Sequence, residues 1–112
     1  MACIFCQIAG GEIPAEILYQ DEEVIAIRDI NPQAPSHILV MPKVHIASVA
    51  DMNEEQSTLL ARLVFTANLL ATKEGIAERG YRLVTNCGPD AGQAVPHLHF
   101  HLLGGRQLGR LG

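Results

Sequence analysis

The chain has 112 residues, enough for one domain over 1–112 that buries a core without disulfide staples. It is 48% hydrophobic and 18% charged with a net charge of −4, so no basic surplus exists to hold a nucleic-acid backbone, and a nucleic-acid partner is excluded. No apolar run approaches the roughly 20 residues of a membrane span, and the opening MACIFCQIAGGEIP lacks the basic flank and long apolar stretch of a signal peptide; no membrane partner and a cytoplasmic location are expected.

Cys3 and Cys6 form a C-x-x-C pair, which in a reducing compartment suggests metal or redox use before a structural disulfide. A short helix is predicted over Ile4 to Ala9, stopped by Gly10 and Gly11, where no side chain resists a tight turn. IPAEILYQ (13–20) and EVIAIRDI (23–30) are strand-like runs separated by polar Asp21, Glu22 and Glu23, a hairpin pattern. SHILVMPK (36–43) is a third strand, bounded by Pro35 and Pro42. Asn53, three residues before Gln56, caps an amphipathic helix built on Leu59, Leu60, Leu63, Val64, Ala67, Leu70 and Ala71, which ends near Gly75. YRLVTN (81–86) is a fourth strand, and the loop CGPDAGQAVP (87–96) leads into VPHLHFHLLGG, the fifth. Strands, one long helix, then strands predict an α+β domain: a five-stranded, mostly antiparallel sheet with the long helix on one face and a short N-terminal helix.

The fifth strand carries the chemistry. Side chains alternate across a strand, so His97, His99 and His101 share one face, roughly 7 Å apart, while Leu98, Phe100 and Leu102 form the apolar back. Burying three rings costs several kcal/mol unless each is hydrogen-bonded, so a sequence that keeps them uses them. The outer two stand roughly 14 Å apart, too far to share one zinc whose nitrogens sit at about 2.0 to 2.1 Å. Phosphorus chemistry suits the spacing better: a central neutral imidazole attacks phosphorus while its neighbours donate to phosphoryl oxygens. A histidine acting as base for Cys87 ranks lower, since that residue is more simply core filler. Asn86 and Gln93 offer amide donors in the preceding loop, and Gly88 and Gly92 allow backbone N–H groups to approach an anion.

HLHFHLL fits the H-φ-H-φ-H-φ-φ signature, with φ apolar, of the histidine triad superfamily. IFCQIAGGEIPAEILYQDEEVIAIRDINPQAPSHILVMPKVHIASV and GYRLVTNCGPDAGQAVPHLHFHLLGGRQL resemble its Hint branch nearly end to end. The resemblance implies a HIT-like fold, pairing as a homodimer into a ten-stranded sheet. It implies hydrolysis of purine nucleoside phosphoramidates, AMP-amine conjugates with aminoacyl-AMP among the candidates, and release of the nucleoside monophosphate. His99 becomes the nucleophile that forms a nucleotidyl-imidazole, oriented by the backbone carbonyl of His97. His101 holds the phosphate, and His37 stands beside the triad in support. Asp29 holds both ribose hydroxyls, a role suited to a carboxylate; from the residues alone it is a turn residue before Asn31 and Pro32. Ile30 joins it at the nucleotide, and Asn86, Gly92, Gln93 and Ala94 fall on phosphate-contacting positions. Ile4, Phe5, Ile8, Ile13 and Ile27 supply the apolar slot for the base, although by pattern alone they are core.

Two departures stand out. Ala94 occupies a position where close relatives carry a serine that binds phosphate and serves the leaving amine; one hydrogen bond to a charged group is worth about 1.5 to 3 kcal/mol. The ending RQLGRLG lacks the tryptophan-containing tail of animal members, so leaving-group preference does not transfer. The alternative function is therefore a nucleotide-binding regulatory module with incidental hydrolysis. Some bacterial members of the superfamily hold a structural zinc with an N-terminal C-x-x-C, a histidine in the P-K-x-H-I segment and the first triad histidine; Cys3, Cys6, His45 and His97 match all four. Cys2His2 is a closed tetrahedral set, which makes the zinc structural, and no catalytic metal is expected. The other reading of Cys3 and Cys6 is a pair of free thiols packed under the first helix.

Overall fold

Five antiparallel strands make one sheet in the order β1-β2-β3-β5-β4: β1 (Ile17–Gln20), β2 (Val24–Arg28), β3 (Ser36–Pro42), β4 (Tyr81–Val84) and β5 (Phe100–Gly104). The structure, a computed structural model, describes residues 3–111. Helix α1 (Ile4–Ala9) has the predicted bounds, and α2 (Ser57–Lys73) is the long amphipathic helix.

Alternation decides what each sheet face meets. Val24, Ala26, Ile38, Val40, Leu98 and Leu102 turn toward α2, whose Leu63, Ala67, Leu70 and Ala71 complete one core. Each such Leu or Ile contributes about 1.5 to 3 kcal/mol when fully buried. The alternate residues Ile25, Ile27, Leu39 and Met41 face the other way and are covered by Phe5 and Ile8 of α1. His37, Leu39 and His101 belong to this second face, because the register sets Leu39 opposite His101 and Ile38 opposite Leu102.

Helix α2 begins as the sequence suggests, with one modification. The backbone N–H of Asn53 donates to Gln56 Oε1 at 3.0 Å, but residues Glu54–Gln56 form a tight 3-10 turn before the α-helix starts at Ser57. Gly75, at φ 74°, ends it in the left-handed conformation that glycine adopts without strain. Just before it, Glu74 accepts two bonds from the Arg28 guanidinium at 2.9 and 3.1 Å and one from the Ser36 hydroxyl at 3.1 Å. Arg28 closes β2 and Ser36 opens β3, so one carboxylate clamps both ends of the loop that carries Asp29 to His37. The Arg28 bonds hold the Glu74 carboxyl below its usual range.

All five strands are shorter than expected, β3 by one residue and β4 by two. β1 starts at Ile17 instead of Ile13, because Pro14 has no N–H to give to a ladder. β2 stops at Arg28, where the Asp29 side chain accepts the Asn31 N–H at 2.8 Å and turns the chain away. β5 starts only at Phe100, so His97 closes a bend over 95–97 and His99 lies between that bend and the strand; the sequence placed both within the strand. Among the described residues no helix is long and apolar enough to cross a membrane.

Candidate active site

The backbone fixes the proton on each ring of the histidine cluster. Gln33 donates its backbone N–H to His37 Nδ1 at 3.0 Å, so that nitrogen is an acceptor and the His37 proton sits on Nε2. His37 Nε2 lies 2.9 Å from His101 Nδ1, which must then accept, leaving the His101 proton on Nε2 as a donor with no protein partner among the described residues. That separation is also shorter than the about 3.4 Å between two nitrogens on a tetrahedral zinc, so these rings touch directly. Asp29 Oδ2 stands 3.4 Å from His37 Nε2, at the edge of the same group. Burial lowers the His37 pKa against the upward pull of Asp29.

His99 is held the other way round. Its Nδ1 lies 2.7 Å from the His97 carbonyl, which can only accept, so Nδ1 carries the proton and Nε2 presents a bare lone pair. Phe5 packs edge-on against the ring at 5.0 Å, and the His101 ring stands 5.0 Å away on the other side. A neutral nucleophilic nitrogen and a hydrogen-bond donor for an anion therefore sit side by side. Such a pair suits attack on phosphorus with stabilisation of the charge that develops on oxygen.

His97 has a third arrangement. Its Nε2–H donates to the Pro42 carbonyl at 2.8 Å, so Nδ1 is bare and faces two sulfurs, Cys3 Sγ at 3.3 Å and Cys6 Sγ at 3.5 Å. His45 Nδ1 lies 3.4 Å from Cys6 Sγ. A tetrahedral zinc with sulfur at about 2.3 Å and nitrogen at about 2.0 to 2.1 Å sets its N···S edges near 3.6 Å. The four donor atoms all lie within 4.8 Å of one another. With the second nitrogen of His97 anchored on a carbonyl, as metal-bound histidines usually are, this cluster fits zinc.

The HIT domain family model matches residues 10–108. The chain belongs to the HIT domain family. It is 51% identical over 106 residues to the purine nucleoside phosphoramidase of Escherichia coli K12, covering 95% of this chain and 89% of that protein. It is 49% identical over 107 residues to the 14 kDa zinc-binding protein of Zea mays, with 94% and 83% covered. A HIT family hydrolase from Legionella pneumophila Philadelphia 1 superposes with a TM-score of 0.95 at 52% identity, covering 96% of each chain.

Within this HIT fold the remaining site residues fall into two groups. Continuing the β4–β5 register, in which Val84 faces His101, sets Asn86 level with His99. The loop that follows folds on itself around Gly88 and Gly92, both at positive φ, and Gln93 is its staple. The Gln93 side-chain NH2 donates to the carbonyls of Ala47 at 2.7 Å and Val95 at 3.0 Å, while its oxygen accepts from the Gly88 N–H at 3.0 Å. This corrects the expected role: the Gln93 amide shapes the loop and has no donor left for phosphate. Among the described residues the Ala94 N–H has no protein partner, which leaves a backbone donor where the serine is missing.

Phe5, Ile8 and Ile27 are buried together, with Ile13 packed beside them. Ile4 points outward, 47% exposed, and Ile30 stands 97% exposed beyond Asp29, so neither belongs to that apolar wall. A separate cleft of about 380 Å³ is lined by Arg79, Tyr81, Arg82 and Arg106; it contains none of the histidines, so the chemistry and not the cavity size locates the site. Sequence reasoning missed Gln33, Pro42 and Thr85. The first two act through backbone atoms, which no side-chain pattern reveals.

Burial, then repulsion from His99 and His37, pushes the His101 pKa down to about 4 despite the pull of Asp29. An unfolded histidine titrates near 6.5, so between about 6.5 and about 4 the unfolded chain binds a proton that the folded one does not. This contribution to stability is fully present above that window and is lost as pH falls through it. NMR titration of His101 should show an inflection near pH 4, with denaturation midpoints falling over the same window; an inflection at or above 6.5 would contradict it.

Proposed function

We propose that this protein hydrolyses the P–N bond of purine nucleoside phosphoramidates through a covalent nucleotidyl intermediate on His99. One observation carries the reading: His99 Nδ1–H donates to the His97 carbonyl, which leaves Nε2 bare beside the His101 Nε2–H, a donor with no protein partner among the described residues. The Nε2 lone pair forms a bond to phosphorus, and the P–N bond breaks with its electron pair going to the amine. His101 Nε2–H holds a phosphoryl oxygen as negative charge grows on it. Water then attacks phosphorus and gives up a proton to solvent, the P–N bond to His99 breaks with its electron pair returning to Nε2, and the nucleoside monophosphate leaves. Asp29 accepts from the ribose hydroxyls, the Asn86 amide and the Ala94 N–H receive the phosphate beside Gly92, whose own N–H is bonded to the Pro89 carbonyl at 3.0 Å, and Phe5, Ile8, Ile13 and Ile27 hold the base. Ala94 has no hydroxyl for the leaving amine, so its proton comes from solvent. The deciding experiment compares wild type with a His99 variant on an adenosine phosphoramidate.

In the same reading Cys3, Cys6, His45 and His97 hold a structural Zn²⁺, in a cytoplasm whose reducing conditions keep the thiols available. The metal supplies a cross-link between the N-terminus and the approach to β5. Residues 1–112 act as one HIT domain, and two copies pair through β4. Support comes from the two sheet edges: β1 is broken by a register shift between Ile17 and Tyr19, whereas Tyr81–Val84 is a regular edge with nothing paired on its outer side among the described residues. Joining two such edges makes a ten-stranded sheet. Sedimentation equilibrium should give twice the mass of the chain; the mass of a single chain at micromolar concentration would remove the pairing.

A further inference from the structure

The β4–β5 ladder ends at the pair Val84 and His101, one residue short of Thr85. Beyond it, the Thr85 hydroxyl donates to the His99 carbonyl at 2.7 Å. A side chain thus takes over where backbone pairing stops, on the peptide that carries the nucleophile. The His99 ring is tied at its other end to the His97 carbonyl, also at 2.7 Å.

We propose that Thr85 is a positioning residue: its hydroxyl clamps the His99–Phe100 peptide and so aims the His99 imidazole. The proposal rests on the reading of His99 as nucleophile. A χ1 angle restricted by β-branching keeps the hydroxyl pre-aimed, and the bond fixes the ψ angle of His99, which sets the direction from which Nε2 reaches phosphorus. No part of Thr85 needs to touch substrate. Valine has almost the same shape as threonine, so the hydroxyl alone separates the two at this position.

Thr85→Val should lower kcat about tenfold with KM changed by no more than about twofold, since a 1 Å misplacement of a reacting group costs about 10²-fold and the shift here is a fraction of that. Thr85→Ser, which keeps the hydroxyl, should restore most of the loss. A second readout needs no substrate: exchange of the His99 Nδ1 proton with solvent, followed by ¹⁵N-edited NMR, should be faster in Thr85→Val than in wild type and near wild type in Thr85→Ser. Thermal melts confirm that all three proteins are folded at the assay temperature.

An unchanged exchange rate in Thr85→Val overturns the proposal. So does faster exchange with kcat intact, or a serine variant that behaves like valine. A wild-type protein that does not turn over the phosphoramidate removes the proposed function instead, and the exchange rates still decide whether Thr85 holds His99.

Discussion

Replacing His99 with alanine is expected to lower turnover of an adenosine phosphoramidate by about 10⁴-fold or more, with AMP affinity changed only a few-fold. The size follows from removing the group that forms the covalent bond, since losses of a nucleophile from other enzymes reach that range. No neighbour can replace it. His101 has its Nδ1 lone pair committed to His37 and offers a proton on Nε2, and the bare nitrogen of His97 faces Cys3 and Cys6. The binding groups stay in place, because Asp29 is fixed by its own bond to the Asn31 N–H and the phosphate loop by Gln93. A fluorescent amine leaving group gives the rate, AMP binding gives the affinity, and circular dichroism shows that the variant folds. Equal rates for the two proteins would remove the covalent mechanism and leave a nucleotide-binding module.

The face of the sheet that carries the histidines was legible in the sequence because alternation survives local irregularity. Leu98 and Leu102 do join the core under α2, and His37 and His101 do meet on the other side. The extent of β5 was not legible, and the reason is chemical. A strand gives its carbonyls to the neighbouring strand, but the His97 carbonyl is spent on the His99 ring and the His99 carbonyl on Thr85. The ladder therefore begins only at Phe100, where those duties end.

The spacing already suggested a central attacking ring with donating neighbours, and family resemblance assigned each part to a residue. The partners that set their protons, the Gln33 N–H and the carbonyls of His97 and Pro42, are backbone atoms, which a pattern of side chains does not reveal. Gln93 shows the converse. Its residue type suits an anion, and only the fold reveals that both amide protons are already taken by carbonyls. Ile30, expected at the nucleotide, follows the turn at Asp29 and is exposed.

Loss of the proposed zinc is expected to have the second large effect, on stability. A ligand bound only by the folded state stabilises it by about 4 kcal/mol when its free concentration is roughly 1,000 times Kd, and at about 4 °C per kcal/mol for a domain of this size Tm should fall by roughly 15 °C. Cys6→Ser is the informative variant, because Cys6 is only half-buried and leaves the core intact, whereas Cys3 is buried beneath α1. The protein should remain folded without metal, since the two apolar clusters on either side of the sheet do not depend on the cysteines for most of their contacts. Cys87→Ser is the matched control: that thiol is exposed and bonded to Ser48, apart from the cluster, so it should keep both metal and Tm. Metal analysis of purified wild type should give one zinc per chain, and a stoichiometry near zero would remove the site. If Cys6→Ser lost the zinc but melted like wild type, the metal would be bound without acting as a cross-link. A joint loss of metal and Tm would show that the metal cross-links the N-terminus to the approach to β5, where the Pro42 carbonyl accepts from His97 Nε2–H and the His97 carbonyl holds the His99 ring.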